Sequence, residues 1–204
     1  MCYTESMLVS REKLINHPVL SLHIGGPIGR TVEEVIDPND LKIIAFTVNG
    51  PQTGDGEHGD ILDVRSIREN SNIGMIVDSI DDLVSKEDVI KIDETMELHF
   101  KLVGLTVKTK KGTKLGKVIG YTVDSETMMI MQLIVKRPVF KSIIDPELII
   151  GRSEIKEVND YEIIVKDEEQ KIRKEATKKD FVPNFVNPFR EGNLATNEIE
   201  RDEE

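Results

Sequence analysis

Residues 28–48 of this chain can be laid over residues 115–135 without a gap, at a constant offset of 87. Gly29 then falls on Gly116, Asp37 on Asp124, Ile43 on Ile130 and Val48 on Val135. The match resumes where Arg65-Ser66-Ile67 faces Arg152-Ser153-Glu154-Ile155 with one residue inserted, and Ile76-Val77 faces Ile164-Val165 at an offset of 88. Two Val/Ile-rich strands can agree by chance. An ungapped match that also keeps a turn glycine and a turn aspartate is poorly explained that way. A repeat with this period implies two copies of one supersecondary unit, and it has to be weighed before any local motif.

Each copy reads as short strands. In the second, Leu105–Thr109 is β-branched, Lys110-Lys111-Gly112 is a turn, Leu115–Val123 resumes, and Asp124-Ser125-Glu126-Thr127 turns again into Met128–Val135. Beyond a loop marked by Pro138 and Pro146 come Leu148–Ile150, Ile155–Val158 and Tyr161–Val165, the last entered through Asn159-Asp160. Turn signals every eight to twelve residues between such runs indicate a small sandwich or barrel, whose closure removes exposed sheet edges. The first copy follows the same order, with turns at Gly25-Gly26-Pro27 and Asp37-Pro38-Asn39-Asp40. Between the copies, Ile80–Met96 is charged and carries Ile80, Leu83, Val84 and Ile90, a pattern read as a connector of one or two short helices.

Composition sets outer bounds. The chain has 204 residues, enough for one or two domains with modest cores. It lacks Trp and is only 4% aromatic, so Ile, Val, Leu and Met must fill the interior. Its one cysteine, Cys2, allows neither an internal disulfide framework nor a Cys-based zinc knuckle. The first residues, Met1–Lys13, do not read as a signal peptide, and no apolar run approaches the roughly 20 residues of a membrane span. The expectation is a soluble, cytoplasmic protein.

The stretch Leu102-Val103-Gly104-Leu105-Thr106-Val107-Lys108-Thr109, then Gly112, then Leu115-Gly116-Lys117-Val118, resembles the opening hairpin of a PRC-barrel domain. Arg152-Ser153-Glu154-Ile155 and Glu162-Ile163-Ile164-Val165 resemble that family's short turn and last strand. The second copy is the better match, because the first has Pro27 and a Gly-rich insertion. The resemblance implies a mainly β fold of two tandem small PRC-type β-barrels. The organisation expected is an N-terminal extension (1–13), copy 1 (14–80), the connector (81–97), copy 2 (98–167) and a flexible C-terminal tail (168–204). The family includes the cytoplasmic domain of a photosynthetic reaction-centre subunit and the C-terminal domain of a ribosome maturation factor. The resemblance therefore implies protein binding and assembly, and it supplies no catalytic residue to carry over. The pattern is mainly one of packing, so it speaks for fold more than for function.

Other constellations fail on physical grounds. Gly54-Asp55-Gly56-Glu57-His58-Gly59 satisfies a dinucleotide-binding string, but Asp55, Glu57 and Asp60 would repel a pyrophosphate and no βαβ unit follows. The same loop offers carboxylates to a hard cation, yet it lacks EF-hand spacing and preset geometry. His17, His23 and His99 stand alone, without a neighbouring nucleophile or orienting group. No catalytic residue, cofactor or metal site is expected, and an enzyme ranks a distant third among the readings.

Charge is distributed unevenly. The net charge is −11, but residues 100–141 carry nine basic residues against two acidic, while residues 20–61 carry two basic against seven acidic. Opposite signs suit attraction between the copies, docking of the basic copy on an acidic or RNA-rich partner, or simple solvation of a Lys-rich hairpin. The tail holds Phe181, Phe185 and Phe189 between prolines, apolar anchors suited either to folding on a partner or to covering an apolar groove. Two functions follow. One is a non-enzymatic adaptor or scaffold that binds a protein partner through barrel surfaces or through Phe181, Phe185 and Phe189. The other is an RNA-associated assembly factor, of ribosome-maturation type, using Lys108, Lys110, Lys111, Lys114 and Lys117 on a ribosomal particle.

Overall fold

The computed structural model describes residues 7–54, 58–138 and 146–167. The protein is mainly β, with a curled, half-barrel sheet. A short strand β1 (Leu8–Ser10) and a single helical turn α1 (Arg11–Leu14) come first. The first sheet is built from β2 (Pro18–Ser21), β3 (Gly26–Asp37), β4 (Lys42–Asn49), β5 (Ile61–Asp63), β6 (Glu69–Ser71), β7 (Gly74–Val77) and β8 (Leu83–Val84). The helix α2 (Ile90–Glu97) follows. The second sheet contains β9 (Thr106–Thr109), β10 (Lys114–Asp124), β11 (Ile130–Lys136), β12 (Glu147–Gly151), β13 (Ile155–Val158) and β14 (Glu162–Val165).

The two sheets share one connectivity. The first runs β6-β7-β2-β3-β4-β5-β8 and the second β13-β14-β9-β10-β11-β12. In each, a meander of three antiparallel pairings is followed by an antiparallel hairpin, β6–β7 or β13–β14, whose second strand lies parallel to the first strand of the meander, β7 to β2 and β14 to β9. A 3₁₀ turn occupies matching places, Val64–Ser66 and Arg152–Glu154. The offset of 87 also carries over the irregularities of the ladder. β3 shifts register against β4 between Thr31 and Glu33 and between Val35 and Ile36, and β10 shifts against β11 between Val118 and Gly120 and between Thr122 and Val123. Bulges increase local twist and bend the strand, which is how one long strand can follow a curled sheet. The skipped residues, Val32 and Ile119, are both exposed.

Sequence chemistry accounts for the tight places. In both long hairpins the aspartate closes the turn: the Asp37 carboxylate accepts from the Asn39 backbone N–H, and that of Asp124 from Glu126 and Thr127. The repeated glycine marks a close approach of strands. A Cβ on Gly29 would stand 2.7 Å from Val48 Cγ1, and one on Gly116 would stand 2.1 Å from the Lys136 carbonyl oxygen. No side chain fits there.

A single apolar cluster draws from both sheets, with Ile43, Phe46 and Leu62 from the first and Tyr121, Ile130 and Leu133 from the second. The segment read from sequence as a helical connector holds more than helix. Ile80–Asp82 and Lys86–Asp88 are 3₁₀ turns, Leu83–Val84 pairs with β5, and only α2 is an α-helix. The extension before the first copy is also structured: β1 pairs with β10, on the second sheet.

Candidate functional site

The two halves meet through matching residues. The Ile43 N–H donates to the Met128 carbonyl at 3.0 Å, and the Ile130 N–H donates to the Leu41 carbonyl at 2.9 Å. Each of these pairs is the other with the halves exchanged, and Lys42 and Met129, themselves counterparts, form a bridge between them. That reciprocity is the mark of an isologous, two-fold contact. Leu41 and Met128, also counterparts, both have left-handed backbone, at φ 43° and 55°, a conformation uncommon for bulky residues. Packing of the two hairpin ends against each other holds them there.

A second pair lies on the same pseudo-axis. Glu34 and Tyr121 are counterparts, and the Tyr121 hydroxyl donates to Glu34 Oε1 at 2.8 Å. Arg11, from the N-terminal turn, donates to both carboxylate oxygens, at 2.6 and 3.2 Å. Burial, with the Glu34 charge beside it, pushes the Tyr121 phenol far above its ordinary range, so the tyrosine stays a donor. The hydrogen bond from Arg11 to Glu34 raises the guanidinium pKa and keeps it charged. Lys101 adds an ion pair with Glu33 across the halves, at 2.8 Å. The opposite charges of the copies therefore do meet, but at the rim of a largely apolar junction.

An open cleft of about 560 Å³ lies beside this junction, between the turn residues Pro38, Asn39 and Leu41 and strand β13. Arg152 closes its floor by donating to the carbonyls of Leu41 and Ile130, both at 3.1 Å, and to that of Asp40. Its counterpart Arg65 turns away and clasps the Asp63 carboxylate within its own half.

The outer faces of the two sheets differ most. In the first, one cross-strand row reads Glu33, Thr47, Ile61, Val84, and α2 packs above it, so that Val35, Ala45, Ile61 and Ile92 form a separate buried cluster. The matching row of the second sheet is Gly120, Ile134, Ile149. Among the described residues, no strand takes the place of β8 beside β12. Ile61 is 1% exposed and its counterpart Ile149 is 63% exposed.

The predicted lysines do not act as one block. Lys110, Lys111 and Lys114 are exposed on the hairpin, and Lys117 is exposed on β10. Lys108, half-buried, is ion-paired with Glu162, and Lys136 stands directly opposite Glu147 on β12. Both acids lie outside the sequence window in which the basic excess was counted, and strand pairing brings them onto the lysine face.

The histidines serve local contacts. His17 Nε2 lies 2.9 Å from the Ser71 carbonyl, and His99 Nδ1 lies 2.7 Å from that of Glu97. Among the described residues no group of three or more His, Cys, Asp or Glu side chains is placed to hold a metal ion, and no helix is long and apolar enough to cross a membrane. Phe181, Phe185 and Phe189 lie outside the described residues, as do Asp55, Gly56 and Glu57 of the Gly-rich loop. Sequence reading missed the Arg11–Glu34–Tyr121 cluster and the exposure of Ile149. The repeat itself was the signal for the first, since Glu34 and Tyr121 occupy one aligned position. No family model matches the chain, and no curated protein matches it.

Proposed function

We propose that this chain is a non-enzymatic protein-binding scaffold, two tandem PRC-type barrel units held as an internal pseudo-dimer that presents unequal surfaces. The observation that carries the reading is the contrast between matching faces: one strand order, with Ile61 covered and Ile149 bare. An exposed isoleucine on a strand edge that no described strand pairs makes the kind of edge prone to wrong pairing unless a partner covers it. A partner that covers it accounts for its retention. The Phe181–Phe189 segment adds a second set of apolar anchors, and the chain needs no cofactor for such a role.

The test is affinity purification of the tagged full-length chain from its native cell, beside Phe185→Ala/Phe189→Ala and Ile149→Asp variants. The expected result is a defined protein partner recovered with the parent chain and reduced with at least one variant. Recovery of no partner above background, or equal recovery with all forms, overturns the scaffold reading. A second reading, an RNA-associated assembly factor, draws on the exposed Lys110, Lys111, Lys114 and Lys117. It requires association with ribosomal particles that weakens steeply with salt. Sedimentation free of such particles at low salt removes it.

A further inference from the structure

We infer that the outer face of the second sheet carries a docking strip for a short acidic segment of a partner protein, centred on Lys114 and Lys117 of β10 and flanked by Lys108 and Lys136. The inference rests on the scaffold reading and names the chemistry that one of its surfaces recognises. Strand register brings the four lysines together. Lys114 stands directly opposite Lys108 on β9, and Lys117 directly opposite Lys136 on β11. Residues three apart on a regular strand point to opposite faces. The register shift between Lys114 and Gly116 undoes that alternation. Lys114 and Lys117 are therefore both exposed, while Leu115 packs on the core and Gly116 and Val118 are buried.

Like charges placed directly opposite one another on neighbouring strands destabilise a sheet. The first half shows that the fold does not need them. There, Leu20 opposite Pro27 fills the place of Lys108 and Lys114, and Arg30 opposite Asn49 that of Lys117 and Lys136. Four positions that carry one charge in the first half carry four in the second, on the same strand order. An anion laid between the lysines turns their mutual repulsion into attraction, and recognition of such an anion accounts for the difference between the halves.

The surrounding acids set the width of the strip. Glu162 is ion-paired with Lys108, and Glu147 stands opposite Lys136 on β12. At the hairpin end, the Asp167 carboxylate accepts from the Lys111 backbone N–H at 3.0 Å. Lys114 and Lys117, on the strand between, make no ion pair among the described residues. The positive strip is narrow, running along β10 from the exposed Lys110 and Lys111 to Lys117, with carboxylates on both flanks. It matches one extended chain, whose side chains recur on one face about every 7 Å. The net charge of −11 opposes a long polyanion, whereas a short acidic segment feels only charges within a Debye length, about 8 Å at physiological salt.

The probe is a fluorescent oligoglutamate peptide, titrated with the full chain and followed by anisotropy. Saturable binding that weakens with salt is expected, reduced at least tenfold by Lys114→Gln/Lys117→Gln. The same charge change off the strip, Lys13→Gln/Lys156→Gln, should leave it nearly unchanged. Urea unfolding separates recognition from structure. The Lys114→Gln/Lys117→Gln midpoint should be equal to the parent's or higher, because opposed like charges have been removed. No saturable binding, an equal loss with both double variants, or a lowered midpoint overturns the inference. So does tighter binding of an oligouridylate of equal charge, which would assign the strip to RNA. A dimer in sedimentation velocity that Lys114→Gln/Lys117→Gln dissolves would assign it to a second copy of this chain, and would also overturn it. If the peptide fails while a partner is still purified from cells, the docking strip falls and the scaffold reading stands.

Discussion

At the scale of single residues, the informative site is the Glu34 carboxylate, which answers two donors at once, Arg11 and Tyr121. Removing one donor differs from removing the acceptor. Tyr121→Phe deletes one hydrogen bond and leaves Glu34 paired to Arg11, so a loss of about 1 kcal/mol is expected. Glu34→Ala strands the Tyr121 hydroxyl in a buried place and costs roughly 2–3 kcal/mol. Urea unfolding of both variants checks the order, and a Tyr121→Phe loss equal to that of Glu34→Ala would refute it. The buried Asp37 makes a second prediction. Burial raises its pKa, but the Lys91 ammonium at 2.9 Å and the Asn39 N–H groups more than offset this, so the folded value lies below the ordinary 3.8. The depressed value makes a stabilising contribution that is complete above the unfolded pKa and disappears as pH falls through the folded one. Asp37→Asn should therefore flatten the acid limb of a stability-versus-pH curve below about pH 4. An acid limb of unchanged slope would refute this assignment.

At the scale of elements, the hairpins β3–β4 and β10–β11 depend on a glycine that lets two strands touch. Gly116→Ala places a methyl 2.1 Å from a carbonyl oxygen of β11, and Gly29→Ala meets a side chain first, at 2.7 Å. Both should destabilise by about 2 kcal/mol or more, with Gly116→Ala the worse, because its backbone clash is at 2.1 Å whereas Gly29→Ala meets backbone, the Asn49 carbonyl oxygen, only at 2.9 Å. Thermal melts of the two variants test the ranking. These hairpins were also the most legible part of the chain. Their β-branched runs and turn aspartates are local signals, and the expected Ile155–Val158 strand matches β13 to the residue. β1 was not legible, because three residues carry no periodicity and its partner β10 lies more than a hundred positions away. The connector was legible only in part, since it does hold the helix α2. Its charges look helical, yet Leu83–Val84 is drawn into strand pairing by the β5 edge. Of the candidate site, the lysines were readable but not the acids that pair with them, since Glu147 and Glu162 arrive only through sheet register.

At the scale of the whole molecule, one apolar cluster spans both sheets, and the hairpin ends exchange backbone hydrogen bonds. The halves should therefore unfold together. Native-state hydrogen exchange is expected to give the Ile43 and Ile130 amides the same opening free energy and the same denaturant dependence. Separate values for the two would show that the sheets unfold independently. A calorimetric enthalpy equal to the van't Hoff enthalpy would be the matching thermal result.

The Glu34–Tyr121 contact has a consequence for symmetry. Where two identical subunits meet on a two-fold axis, any axial residue faces itself, so a glutamate there confronts a glutamate. Joining the halves in one chain lifts that symmetry and lets one axial position become acid and the other phenol, each answering the other. A first half paired with its own twin would bury two like charges, and a second half paired with its twin would set two tyrosines together without the shared carboxylate. The Glu34–Tyr121 hydrogen bond is therefore a contact that an exact two-fold pairing of either half with its own copy could not make.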